Sequence, residues 1–152
     1  FTSFKKMIDM LCNDIKQRYG VYVNYIDGSV PAKERQLTID EFGTVVGAGA
    51  LVLNPKAAGA GLNITCANHA IHYNLEWNPA VEDQASARVF RRGQEKTVFV
   101  HRLYYVDTIE EIINEKIQNK RILSDNAIIG NTGSTTDQEY LIKALSASPY
   151  KH

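Results

Sequence analysis

Residues 21–54 read VYVNYIDGSVPAKERQLTIDEFGTVVGAGALVLN, and this stretch decides the fold class. Residues 21–26 are β-branched and aromatic and end at an Asp-Gly turn signal, a pattern typical of a strand. Pro31 has a fixed φ that suits the first turn of a helix, and the helical pattern continues to Phe42. Residues 50–54 are almost wholly apolar, as in a strand with both faces covered. The stretch therefore predicts one β-α-β unit.

The same alternation continues on both sides of this unit. Upstream, helical periodicity covers residues 5–19, and residues 1–4 would be the tail of a strand. Downstream, the patterns predict strands at 69–74 and 97–103, a helix opened by Asn78 and Pro79, and a helix from Ile109 to about Leu123. Strands that alternate with helices imply right-handed crossovers. We therefore predict an α/β fold with a mostly parallel central sheet and a site at the carboxyl ends of the strands.

Size and charge suit one domain and suggest no particular partner. The chain has 152 residues, enough for a sizeable single core. Its 17 Lys and Arg balance 17 Asp and Glu, so the total charge gives no support for a nucleic-acid or membrane partner. Two cysteines without a paired spacing favour a reducing compartment. We expect an intracellular protein, cytoplasmic in a bacterium or nuclear in a eukaryote. Because the chain opens on Phe1 and not on Met, we expect a fragment of a longer protein.

Several familiar catalytic and binding motifs are missing. No Gly-Lys pair occurs, so there is no G-x-x-x-x-G-K-[ST] phosphate loop, and neither G-x-G pair has the third glycine of a dinucleotide site. A G-x-S-x-G hydrolase elbow is also absent. Cys66, His69 and His72 have metal-ligand chemistry, but three positions along a strand place the histidines on opposite faces. We predict packed or hydrogen-bonded histidines and no metal site.

Three arginines fall within one predicted helix. Arg88 and Arg91 are three positions apart and would project from one face, with Arg92 beside them. Such a group forms either a solvated basic stripe or a pair of guanidinium groups aimed at phosphate oxygens. Spacing alone leaves both interpretations open.

A family resemblance bears on that choice. The segment DQASARVFRRGQ at residues 83–94 resembles motif VI, D-Q-A-x-x-R-x-x-R-x-G-Q, of the SWI/SNF-type helicase-like ATPases of superfamily two. Further segments resemble other elements of that family. FTSF at 1–4 resembles motif IV, DGS at 27–29 resembles the element that follows it, and AAGAGLNIT at 57–65 resembles motif V. WNPA at 77–80 resembles the segment between motifs V and VI, and TIEE at 108–111 with KR at 120–121 resembles the closing helix. The sequence departs from the usual pattern at Ala58, Ala87 and Phe90 and keeps both motif VI arginines.

The resemblance implies a RecA-like domain, the second of two lobes in an ATPase motor. The missing phosphate loop is then expected, because ATP and Mg²⁺ would be bound mainly by the amino-terminal lobe, which is absent here. Arg88 and Arg91 would reach across the cleft to the γ-phosphate, as arginine fingers do. Gln84, Gly59 and Gly61 would belong to the same interlobe surface. The isolated chain is expected to be inactive.

The resemblance also implies contacts with double-stranded DNA. The residues that would touch the backbone of one strand are Thr2, Ser3, Gly61, Asn63 and Thr65. Small hydroxyl and amide groups suit phosphate contact, which positions a motor without reading sequence. Trp77 would either lie at the DNA-facing edge or pack beneath the motif VI helix.

The chain divides into three predicted parts. Residues 1–129 would form the lobe, residues 130–136 a flexible linker, and residues 137–152 a short helix and tail. An alternative to a motor is a non-catalytic DNA- or protein-docking module derived from such a lobe. A free-standing flavodoxin-like regulator would leave the motif VI match unexplained.

Overall fold

The computed structural model describes residues 1–58 and 61–126. The predicted linker at 130–136 and the helix and tail at 137–152 lie outside the described residues. The helices and strands alternate in the order α1 (Lys5–Tyr19), β1 (Tyr22–Ile26), α2 (Ala32–Gly43), β2 (Gly49–Leu53), α3 (Pro55–Ala58), β3 (His69–His72), α4 (Pro79–Ser86), β4 (Phe99–Arg102) and α5 (Ile109–Asn126). This order confirms the predicted alternation, and α3 is a short helix that the sequence patterns did not reveal.

The helix that precedes the arginines is shorter than predicted. We expected it to include Arg88 and Arg91, but α4 ends at Ser86 and residues 87–94 form turns. The carbonyls that a longer helix would use are taken by other donors. The amide of Ile64 donates to the Arg88 carbonyl at 2.9 Å, and the Gln94 side chain donates to the Val89 carbonyl at 3.2 Å. The expectation of two arginines on one helix face was therefore wrong, because tertiary hydrogen bonds override the local helical pattern.

The strands pair in parallel, as predicted. β1 pairs with β2, and β3 pairs with β4. Residues 1–2 lie between the two pairs, because the amide of Thr2 donates to the carbonyl of Leu53 and the amide of Tyr73 donates to that of Phe1, both at 2.9 Å. The predicted strand tail thus joins β2 to β3.

One buried cluster connects the sheet to the loops that follow α3 and α4. Its members are Ile26, Ile39, Leu53, Leu62, Ile64, Ala70 and Val89. Leu62 and Ile64 come from the first loop, and Val89 comes from the second. Burial of such an apolar side chain stabilises a fold by about 1.5–3 kcal/mol. The two loops are therefore fixed to a common core.

Candidate functional site

The segment with the predicted phosphate-binding arginines is residues 87–94, here called the arginine turn. It follows α4, whose first turn is capped by the Asn78 side chain accepting from the amide of Ala80 at 3.1 Å. Gln94 closes the turn by donating from Nε2 to the carbonyl of Ala67 at 2.7 Å. Gly93 has φ 98°, a left-handed conformation that glycine adopts without strain. The turn is therefore held by specific contacts at both ends.

The predicted ATP-facing residues differ in exposure. Arg88 is half-buried, whereas Arg91 and Gln84 are exposed. The two arginines lie on one turn whose backbone is fixed, although they do not share a helix face. Guanidinium groups held this way can present planar, permanently charged donors to an anion outside the chain.

A buried carboxylate fixes the helix that leads into the arginine turn. Glu82 on α4 is 0% exposed, and its Oε2 accepts from Arg102 Nε at 2.8 Å and from Arg121 Nη2 at 3.2 Å. Its Oε1 accepts from the amide of Glu76 at 3.0 Å. The same Arg121 Nη2 also lies 2.6 Å from Oδ1 of Asp83. α4 is therefore tied to β4, α5 and the loop before it.

The sequence patterns did not reveal this network. One signal was available: Arg102 lies near the end of the predicted strand at 97–103, which is mostly apolar, and a charge in such a strand needs a partner. The partner itself is 20 residues away and could not be identified without the fold.

Residues 61–65, here called the motif V loop, alternate between buried and accessible positions. Leu62 and Ile64 are buried, while Asn63 is exposed and Thr65 is half-buried. Gly61 has φ 81°, and a Cβ on it would meet no atom within 4 Å. The backbone conformation, and not tight packing, therefore favours glycine there. Gly59, which we predicted for the interlobe surface, lies outside the described residues.

The two predicted DNA contacts at the start of the chain are engaged within the fold. Thr2 is 1% exposed, and its hydroxyl donates to Oδ1 of Asn74 at 2.8 Å. The amide of Ser3 donates to the same oxygen at 3.1 Å, and its hydroxyl bonds to Glu76. Burial raises the pKa of the Glu76 carboxyl. In this conformation both hydroxyls hold the chain start against the loop after β3, and their contact with DNA stays a prediction.

Trp77 lies at the surface between the motif V and motif VI segments. Its side chain is 39% exposed, and the Lys116 ammonium lies 4.4 Å from the ring centroid in a cation–π contact. The ring therefore has a packing partner on α5 and still presents area to solvent. Neither of the two sequence interpretations of Trp77 is tested by this contact.

The histidines behave as the strand spacing predicted. His69 is exposed and His72 is buried, so the two point to opposite faces of β3. His72 Nε2 lies 2.8 Å from the Ser86 hydroxyl, and His69 Nδ1 lies 3.0 Å from His101 Nε2. Over residues 1–58 and 61–126, no group of three or more His, Cys, Asp or Glu is placed to hold a metal ion.

The motif V loop and the arginine turn are thus neighbours joined by the backbone hydrogen bond from Ile64 to Arg88, and Gln94 adds a side-chain bond to Ala67 just after the loop. Residues 1–93 match the helicase conserved C-terminal domain, and this match covers the motif V loop and the arginine turn as far as Gly93. The chain belongs to this helicase family. It is 40% identical over 128 residues to the putative ATP-dependent helicase/translocase YwqA of Bacillus subtilis. The aligned region covers 84% of this chain and 14% of YwqA.

Solved structures place this helicase C-terminal domain in the SWI2/SNF2 branch and give it a RecA-like fold. The C-terminal part of the Fun30 ATPase domain aligns with a TM-score of 0.74 at 26% identity, covering 95% of this chain and 44% of that one. The SWI2/SNF2 ATPase core of Sulfolobus solfataricus in complex with dsDNA aligns with a TM-score of 0.64 at 38% identity, covering 81% of this chain and 25% of that one. The predicted α/β RecA-like class and the family resemblance are confirmed.

The match to the helicase C-terminal domain ends before two arginines that hold α4. Arg102 and Arg121 lie after residue 93, yet both contact Glu82.

In the part of the chain that the structure describes, no helix has the length and apolar character needed to cross a membrane.

Proposed function

We propose that this chain is the second motor lobe of an ATP-dependent double-stranded DNA translocase or remodeller. The observation that carries the proposal is the hydrogen bond that joins the motif V loop to the arginine turn, donated by the Ile64 amide to the Arg88 carbonyl. A motor must link nucleotide state to its grip on DNA, and this hydrogen bond links the predicted ATP-facing segment to the predicted DNA-facing one.

On the nucleotide side, Arg88 and Arg91 act on ATP bound mainly by the amino-terminal lobe, together with Mg²⁺. Arginine fingers stabilise the charge that develops on the transferred phosphoryl group and accelerate hydrolysis by about 10³–10⁵ in well-studied systems. Gln84 lies exposed on α4 and Gly61 in the motif V loop, and with Gly59 they would border the same cleft. The chain supplies no phosphate loop, so ATP turnover needs both lobes.

On the DNA side, the accessible amide of Asn63 and the hydroxyl of Thr65 are the side chains best placed to bind backbone phosphates. Gly61 adds an open backbone turn, and Trp77 adds an exposed ring surface. Thr2 and Ser3 would contact DNA only after giving up their bonds to Asn74 and Glu76. The complex of the Sulfolobus solfataricus SWI2/SNF2 ATPase core with dsDNA supports a DNA-binding role for this lobe.

Closure and opening of the two lobes around ATP would move the motor along one strand. Because its proposed ligands are ATP and DNA, we also propose an intracellular location.

The proposal is tested by measuring ATP hydrolysis with and without double-stranded DNA, for this chain alone and for the protein that carries both lobes. We expect DNA-stimulated turnover by the two-lobe protein and negligible turnover by the chain alone. Robust turnover by the chain alone would contradict the two-lobe mechanism. Tight DNA binding by the two-lobe protein without any ATP turnover would indicate a docking module instead.

A further inference from the structure

Arg121 lies on α5, well outside the segment that matches the helicase C-terminal domain. Its Nη2 nevertheless contacts two consecutive carboxylates at the start of the motif VI segment, Glu82 at 3.2 Å and Asp83 at 2.6 Å. We propose that Arg121 is a positioning residue that sets where the arginine turn stands. This inference rests on the proposed function, because it concerns the placement of Arg88 and Arg91 relative to ATP.

The path from Arg121 to the turn is short and continuous. Arg121 holds the side chain of Asp83, and the backbone carbonyl of Asp83 accepts the amide of Ala87 at 2.9 Å. Ala87 is the first residue of the arginine turn. A displacement of α4 is therefore transmitted directly to the backbone that carries Arg88.

The other end of the turn is held independently. Gln94 ties it to Ala67, which follows the motif V loop, and the Ile64 amide separately holds the Arg88 carbonyl near the first end. Loss of Arg121 would thus remove one restraint on α4, which leads into the turn, and leave the Ile64 and Gln94 bonds in place. This predicts misplaced arginines in a folded domain, which is the signature of a positioning residue.

Arg121 is a better test position than Arg102. The Arg102 side chain is 14% exposed and is the nearer of the two arginines that pair with Glu82. Removing it would leave the fully buried Glu82 carboxylate without its nearer cation. The Arg121 side chain is 26% exposed, and after its loss Arg102 still pairs with Glu82. Arg121→Lys is the informative conservative change, because an ammonium keeps the charge but lacks the planar fork whose Nε and Nη2 face the two carboxylate oxygens of Asp83.

The experiment uses the two-lobe protein and compares Arg121→Ala, Arg121→Lys and Arg91→Ala. The matched control is Arg18→Ala, which removes an arginine from an ion pair of 2.6 Å on α1. For each variant, kcat and KM for ATP are measured with saturating DNA, together with the thermal midpoint and hydrogen exchange of residues 83–94.

For Arg121→Ala we expect kcat to fall by about 10- to 100-fold, as misplacement of a catalytic group by about 1 Å can cause. KM for ATP should stay within about 3-fold, and the Lys variant should recover part of kcat. Exchange should rise in residues 83–94 but not in α1, and Arg18→Ala should match the wild type.

Unchanged kcat and unchanged exchange in Arg121→Ala would overturn the inference, provided that Arg91→Ala is inactive. A parallel loss of kcat, ATP affinity and thermal midpoint would also overturn it, since that pattern indicates a purely structural role. Should the Ala variant fail to fold, normal kcat in Arg121→Lys overturns the inference. Normal turnover in Arg91→Ala would overturn the proposed function and this inference with it.

Discussion

The backbone amide of Ile64 donates a hydrogen bond to the carbonyl of Arg88 over 2.9 Å. Ile64 is 1% exposed, so this bond is anchored in the core. It occupies the Arg88 carbonyl, which a continued helix would offer to the amide of Arg92, and Arg91 beyond it is exposed. The relationship explains why the two predicted arginines lie on a turn, and it connects them to the loop predicted to bind DNA.

Gln94 ties the arginine turn to Ala67, just after the motif V loop, and its loss should loosen the turn. Gln94→Ala removes the donor to the carbonyls of Ala67 and Val89. We expect a loss in unfolding free energy of about 1–3 kcal/mol, since two partly buried carbonyls lose a partner. Urea denaturation measures this loss in unfolding free energy.

The control for Gln94 is Gln36→Ala, which removes a side-chain bond of 2.8 Å to Asp40 on the exposed face of α2. It should leave the urea midpoint close to that of the unchanged chain. Equal midpoint shifts for the two variants would contradict a special role for Gln94.

His72 should make stability depend on pH. Burial lowers the pKa of His72 to about 4, below its ordinary value of 6.5. Between these values the unfolded chain binds one more proton than the folded chain, so the free energy of unfolding falls as pH falls. This contribution amounts to about 1.4 kcal/mol per pH unit.

The His72 prediction is checked by urea denaturation from pH 7 to pH 4 on the chain and on His72→Gln, with the exposed His69→Gln as control. The slope of free energy against pH should become shallower only for His72→Gln. Parallel curves for the chain and for His72→Gln would refute the assignment.

Asn63 should strengthen DNA binding independently of the base sequence. Its side chain is exposed between two buried neighbours, so Asn63→Ala should preserve the fold and remove one phosphate contact. In the two-lobe protein we expect weaker binding to duplexes of unrelated sequence by a similar factor. Fluorescence anisotropy at fixed salt measures this.

The control for Asn63 is Asn13→Ala on the exposed face of α1. It should bind every duplex as the unchanged protein does. Loss of affinity for one duplex sequence only, or no loss at all in Asn63→Ala, would argue against a backbone contact.

The sequence predicted the alternation of strands and helices because apolar periodicity and turn residues are local signals. β1, α2 and β2 follow the predicted β-α-β unit closely. The end of α4 was mispredicted because the Arg88 carbonyl accepts from the amide of Ile64, 24 residues earlier in the chain, and this contact exists only in the tertiary fold.

The site was predictable only in part, for the same reason. The motif pattern identified Arg88 and Arg91 but gave no sign that Thr2 is buried against Asn74, which is 72 residues away. Nor could it connect Glu82 with Arg121, 39 positions along the chain. Such pairs depend on how the strands are ordered in the sheet.

The most direct test of the central claim compares Arg91→Ala with Arg92→Ala in the two-lobe protein. Both side chains are exposed on the arginine turn, but only Arg91 occupies an arginine position of motif VI. Removing a finger should abolish DNA-stimulated hydrolysis while ATP binding stays measurable, a loss of about 10³-fold or more. Arg92→Ala should hydrolyse ATP at close to the normal rate. Near-normal turnover by Arg91→Ala, or an equal loss in both variants, would contradict the account.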